Sequence, residues 1–384
     1  MTRGFAESEF ATRCACAQAE MARTGLGALL LTTEPEIRYY TGFLTRFWES
    51  PTRPWFLILP PEGKPVAVIP SIGAALMAQA YVGEIKTWRA PDLYDDGVSL
   101  LIETLNEVRE GAPVGMARGL ESHARMPVAS LMTVQKHVPM TGDGHLTRRL
   151  RMVKSEGEIA KIEAACQIAT RAFDRMAEIA REGTGLDQVF RDFQRLCLEE
   201  GADWVPYLAG AAAREGYGDV ISPATDAPLQ RGDVLMLDTG LVWDGYFCDF
   251  DRNFTIGPPS GAVADAHAQL VEATQAGFAA AKPGATGAEL FHAMDRICTG
   301  GAGGSEAGRL GHGLGMQLTE WPSVIPDDST VLEPGMVLTL EPGVQVLPGK
   351  IPGKLMVHEE DIVITETGAR YLTRPSPPEI EVLA

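Results

Sequence analysis

Residues 231–257, RGDVLMLDTGLVWDGYFCDFDRNFTIG, hold a strand, a tight turn and a returning strand, with aspartates at set steps along them. Val234–Leu237 reads as a buried apolar strand that ends abruptly in Asp238. Asp244-Gly245 is a two-residue hairpin signal, since type I′ turns need positive φ at both central positions. Such a turn sets Trp243 opposite Tyr246, so facing positions sum to 489 and Asp238 lies opposite Asp251. Side chains alternate along a strand, so Asp238, Asp249 and Asp251 share one face. Several carboxylates on one face at the end of an apolar strand are costly without a cation. The alternative is a solvated hairpin face with Arg252 as the counter-charge.

Two later stretches repeat the pattern. PGMVLTLEPGV (334–344) runs apolar into Glu341 and breaks at Pro342-Gly343, and KLMVHEEDIVIT (354–365) sets Glu359, Glu360 and Asp361 inside a strand pattern. Acidic residues rarely interrupt buried strands unless they are paired or metal-bound. Between them, GRLGHGLGMQLTEWP (308–322) surrounds His312 with glycines that let the backbone pack closely. Four carboxylates and one imidazole on separate strands suit two divalent ions such as Mn, Co, Fe or Zn. Two such ions, roughly 3.5–4 Å apart and bridged, polarise a carbonyl and generate a hydroxide at neutral pH.

The rest of the chain frames this region. At 384 residues it is long for one core, and two domains are expected. Lys+Arg number 33 and Asp+Glu 51, a net charge of −18, which counts against nucleic acid and anionic membrane as partners. Residues 1–150 hold 15 and 16 of these, and residues 151–384 hold 18 and 35, so the acidity belongs almost wholly to the second part. No apolar run approaches the roughly 18 residues of a membrane helix, and the first residues show a charged helical pattern with no signal-peptide core. The six cysteines lack zinc-site spacing and read as reduced, mostly buried thiols of a cytoplasmic protein.

Upstream, GALLLTT (27–33), WFLILP (55–60) and PVAVIP (65–70) read as buried strands, with a helix near 97–109, an α/β alternation with crossover helices. A helix over about 156–181 opens the second part, with Ser155 as its N-cap and Glu156 and Glu158 in its first turn. GTGLDQVFRDFQRLC (183–197) and GATGAELFHAMDRIC (284–298) align without gaps, which suggests a pseudo-two-fold domain with its site at the seam.

These motifs resemble the pita-bread metallohydrolase family, in its Xaa-Pro aminopeptidase, prolidase and creatinase branch. Asp238-x-Gly240 with Asp249 eleven residues on, His312 in GHGLG, Glu341 in LEPG and Glu360 before Asp361 resemble the family's five metal ligands in order. The resemblance implies a creatinase-like α/β N-terminal domain over 1–148 and an α+β pita-bread catalytic domain over 149–384. It implies two divalent metal ions, Mn first among them, and a homodimer. The implied activity is hydrolysis of an amide C–N bond in a short peptide with proline in second position, with Glu341 as the proton acceptor.

The chain also departs from the family. The family's substrate-handling His upstream of the first ligand strand falls near Ile221, and a second falls at Thr319, although Glu320 beside it is kept. Glu320 is therefore a candidate catalytic residue and Thr319 a candidate substrate contact. His358, two residues before Glu360 on the same strand face, is a candidate replacement acid/base, or else a packed polar residue. Asp251 and Asn253 stand where the family usually has two threonines around Arg252. Asp251 reads as an extra ligand or, the favoured alternative, as the salt-bridge partner of Arg252. The loop TRFWESPTRPW (45–55) reads either as structural or as a specificity lid in which Arg46 and Trp48 touch substrate. TGGAGGS (299–305) lacks the Lys-Ser/Thr of a phosphate loop and reads as a flexible loop. The competing activities are those of a non-peptide small-molecule enzyme on the same fold (ectoine hydrolase, creatinase-like amidinohydrolase or dimethylsulfoniopropionate lyase) and of a catalytically silent relative.

Overall fold

The computed structural model describes residues 2–48, 53–302, 308–346 and 353–384. The chain divides into two compact units, Thr2–Arg151 and Met152–Ala384. The division falls inside a short helix, Leu146–Met152, slightly beyond residue 148. Backbone partners change there: the Leu150 carbonyl accepts from the Tyr39 hydroxyl, whereas the Lys154 N–H donates to the Gly335 carbonyl.

In the first unit, strands β1 (Ala28–Leu31), β2 (Phe56–Leu59), β3 (Val66–Pro70), β4 (Glu84–Trp88), β5 (Val114–Met116) and β6 (Met140–Gly142) form one sheet in the order β4-β3-β2-β1-β5-β6. The expected crossover pattern holds for the parallel pairs β3–β4, β1–β5 and β5–β6. It fails for β1–β2 and β2–β3, which are antiparallel. Only the short turn after Leu59 separates β2 from β3, and a parallel return needs a dozen or more residues. Helix Val98–Val108 covers the sheet through Leu101 and Leu105.

In the second unit the Ser155 hydroxyl accepts from the Glu158 N–H, and the Glu158 carboxylate accepts from the Ser155 N–H, a reciprocal cap that starts helix Glu156–Phe173. The expected single helix to 181 is instead two, the second being Met176–Ile179. Strands β7 (Trp204–Arg214), β8 (Asp233–Trp243), β9 (Tyr246–Phe247) and β10 (Phe250–Ile256) form a sheet closed by β18 (Glu381–Leu383). Asp244 and Gly245 have φ of 48° and 83°, the left-handed pair that the turn demands. Trp243 faces Tyr246, and Asp238 faces Asp251, as the turn chemistry predicts. The strand does not stop at Asp238, which lies mid-strand.

The second sheet joins β11 (His312–Gly313), β12 (Glu320–Ser323), β13 (Val337–Leu340), β16 (Glu360–Ile364) and β17 (Ala369–Tyr371), and β14 (Gly343–Gln345) pairs with β15 (Leu355–Val357). The helical echo proves to be part of a longer one. Gly183 N–H donates to Leu229 O as Gly284 N–H does to Leu332 O, and the Leu229 and Leu332 N–H groups return bonds to Thr184 and Ala285. From there LQRGDVLMLD (229–238) and LEPGMVLTLE (332–341) run in parallel to Asp238 and Glu341. Both sets of strands are buried under helices: Val234 and Met236 pack with Val263 and Leu270, and Leu338 and Ile362 with Phe291 and Met294. No helix among the described residues is long and apolar enough to cross a membrane.

Candidate metal centre

Acids and one imidazole from separate strands come together in the second unit. Ligand-capable atoms of Asp249, His312 and Glu359 lie within 4.8 Å of one another, and all three residues are buried. His312 Nε2 stands 3.4 Å from Asp249 Oδ2, and its Nδ1 lies 2.9 Å from the Gly313 carbonyl. A carbonyl only accepts, so Nδ1 carries the proton and Nε2 presents a lone pair. Burial, assisted by the Arg309 charge, lowers the His312 pKa to about 4, so the ring is neutral at neutral pH. The glycines beside it allow that placement: a Cβ at Gly311 would lie 2.2 Å from Thr339 O, and one at Gly313 2.3 Å from Trp321 O.

The acids around this trio repel one another. Burial and then the Asp238 charge push Asp249 well above the usual carboxylate range. Burial and then Asp249, Glu341 and Asp238 do the same to Glu359. Asp238 rises to about 6 through burial, moderated by a 2.8 Å bond from the Tyr207 hydroxyl. Glu341 rises to about 7 through burial and the Asp238 charge, and as a residue it is the one of the set that is only half-buried. Asp361 supports from behind, where its Oδ2 accepts from the Asp249 N–H and lies 3.2 Å from the Cys166 thiol; burial lifts it to about 8. Asp238 Oδ1, Asp249 Oδ1, Asp251 Oδ1 and Glu359 Oε1 are buried with no hydrogen-bond partner among the described residues. Orphaned, converging carboxylate oxygens beside a neutral imidazole fit divalent cations and little else.

Asp238, Asp249, His312 and Glu341 are thus brought together, but Glu360 is not. Burial would raise Glu360, yet Arg252 3.0 Å away and its hydrogen bonds bring it down to about 2. It also accepts from the Thr373 hydroxyl and the Ser376 N–H. Adjacent strand residues point to opposite faces, so Glu359 and not Glu360 shares the face of Glu341, given that Leu340 pairs with Glu360.

His358 follows Glu360 outward, with Nε2 3.3 Å from Glu360 Oε1 and Nδ1 2.8 Å from the Thr274 hydroxyl, and so is no acid/base of this cluster. Glu320 is held by the buried Lys154 ammonium at 3.2 Å and accepts from the Gln317 N–H, contacts that brace the turn after β11. The expected Asp251–Arg252 side-chain pair is absent: Arg252 donates to the main-chain oxygens of Asp251, Glu359 and Arg374 instead.

Thr319 accepts from Arg309 at 3.4 Å, and Arg309 is a residue the sequence reading passed over. Ile221 lies exposed on a loop capped by Asp219. Trp48 belongs to the first unit, where its ring packs on Trp55 at 5.8 Å under the Arg125 guanidinium, and Arg46 is exposed there. Residues 49–52 of that loop, and 303–305 of TGGAGGS, lie outside the described residues.

Residues 160–366 match the model of metallopeptidase family M24, and residues 13–153 that of the creatinase/prolidase N-terminal domain. A Mycobacterium bovis protein named "Probable dipeptidase PepE" is 32% identical over 382 residues, covering 96% of this chain and 95% of its own. An "Xaa-Pro dipeptidase" of Pyrococcus horikoshii is 34% identical over 230 residues, 59% of this chain and 64% of its own. Among solved structures, dipeptidase PepE from Mycobacterium ulcerans superposes with a TM-score of 0.83 at 26% identity, covering 99% of each chain.

Proposed function

Because the chain belongs to metallopeptidase family M24, we propose that it is a dipeptidase acting on short peptides with proline in second position, with two divalent metal ions at its centre. The observation that carries this reading is the set of orphaned acid oxygens around a neutral His312. Asp238, Asp249, His312, Glu341 and Glu359 would hold the ions, and the oxygen-rich set favours Mn over softer choices. When bound, such ions supply Lewis acidity and lower the pKa of water toward neutrality.

The chain's own groups do the rest. Tyr207 fixes the Asp238 carboxylate, and Asp361 fixes the Asp249 main chain from behind. Glu341, the open member of the set, takes the proton from attacking water and returns it to the departing amine. The apolar strands behind the acids exclude water from the rear of the site.

The test is an assay of Xaa-Pro dipeptides beside creatine, ectoine and dimethylsulfoniopropionate, each with Mn2+ present. Turnover of one or more Xaa-Pro dipeptides, lost on Glu341→Gln, is the expected result. Turnover of a non-peptide compound alone would overturn the peptide assignment, and it would suit a chain that has Ile221 and Thr319 where peptide-handling imidazoles are expected.

A further inference from the structure

We propose that Asp251 is an additional metal ligand, so that this chain offers five carboxylates and one imidazole to its ions. The proposal rests on the metal-centre reading above and adds a residue to it. Three observations carry it. Asp251 is 1% exposed, and its Oδ1 has no hydrogen-bond partner among the described residues. It sits directly opposite Asp238 on β10, on the same sheet face, and Asp238 and Glu341 are among the charges that act on it. Its sequence neighbour Arg252, the nearest candidate counter-ion, is turned to the other face and engaged by Glu360.

The internal repeat supplies an independent argument. Gly232 N–H donates to Ile256 O in the first half, and Gly335 N–H to Ile364 O in the second. Counting back from these equivalent isoleucines, Phe254 faces Leu235 as Ile362 faces Leu338. The same count places Asp251 on Glu359 and Arg252 on Glu360. Glu359 already lies with Asp249 and His312 in the ligand-capable trio. The pseudo-two-fold therefore maps Asp251 onto a residue inside the centre. A carboxylate buried there with no proton donor or cation is costly, and an ion that seeks oxygen removes the cost. The ligand class is a divalent cation of the Mn2+ type, held more tightly than by the other five donors alone.

The experiment titrates the full chain, stripped of metal, with Mn2+ alone, for the native protein and for the near-isosteric Asp251→Asn. Calorimetry reads affinity, and thermal melts read folding with and without metal. The expected result is native binding of Mn2+ and at least a tenfold loss of affinity for one ion in D251N, about 1.4 kcal/mol. Affinities within twofold of native would overturn the proposal and leave the metal-centre reading standing. Failure of the native protein to bind Mn2+ would overturn both. If D251N does not fold, a crystal structure of Mn2+-loaded native protein decides: an Asp251 oxygen about 2.0–2.3 Å from an ion supports the assignment, and one beyond about 3 Å overturns it.

Discussion

The two halves of the catalytic unit use equivalent strand positions in opposite ways on their two faces. On the outer face the equivalent residues are Arg252 and Glu360, and they pair with each other at 3.0 Å across the pseudo-two-fold. On the inner face the equivalent residues are Asp251 and Glu359, both acidic, both buried and neither neutralised by a basic side chain within hydrogen-bond reach. One side of the same two strands is closed electrostatically by the protein, and the other is left for something with positive charge. The asymmetry separates an acid that the fold pairs with a base from an acid that it leaves unpaired, although the two are adjacent in sequence at 360 and 359.

The largest effect that can break this comparison is on activity. Glu359→Gln should lower kcat/KM about a hundredfold or more, since even loss of an outer-shell partner of a metal ligand reaches that scale. Glu360→Gln should keep the native Mn2+ stoichiometry and stay within about tenfold of native kcat/KM. Equal losses in the two variants, measured on one dipeptide with metal content determined in parallel, would erase the distinction between the faces.

Stability should show the reverse order. Glu360→Gln leaves Arg252 without its buried partner and should cost about 3–5 kcal/mol in urea unfolding. The double variant Arg252→Met/Glu360→Leu should recover most of that, because removing both charges removes the desolvation problem. A double variant no better than the single one would show that the pair does more than neutralise itself.

A smaller effect sharpens the inner face. In the metal-free protein Glu341 and Asp361 titrate near 7 and 8, raised from an unfolded value of about 4. Groups raised in this way stabilise the fold fully below the unfolded pKa and lose that contribution as pH climbs through the folded pKa. The buried His312 and His267, both lowered to about 4, act in the opposite sense only below about pH 6.5. Between about pH 6.5 and 8.5 the stripped protein should therefore lose about 2–3 kcal/mol, roughly 5–10 °C in Tm. With Mn2+ bound the Glu341 share of that loss should disappear. A stripped protein that gains stability across it would contradict the account of the inner acids.

Much of this was legible in the sequence, and the reason is turn chemistry. Asp244-Gly245 sets the β8–β10 register, and the register alone puts Asp238 opposite Asp251. The cap at Ser155 and Glu158 and the apolar strands of the first unit are equally local signals. Glu359 was not picked out, because three consecutive acids leave the inward one undecided until a facing strand sets parity. Two signals bore on it: His358 shares a face with Glu360, and FDRNFTI (250–256) repeats as HEEDIVI (358–364) against the LEPG half. Tyr207, Asp361 and Arg309 were missed for a different reason, since each acts from a separate element through a contact that only the folded chain creates. The antiparallel start of the first sheet was masked by strand runs that look the same in either direction.

The most direct measurement is the metal content of the native protein, purified without chelator, equilibrated with Mn2+ and freed of excess before elemental analysis. About two ions per chain are expected, the number that offsets the carboxylates of Asp238, Asp249, Glu341 and Glu359. Fewer than about one ion per chain would contradict the metal-centre reading, because acids this buried would then stand without the cations that explain their placement.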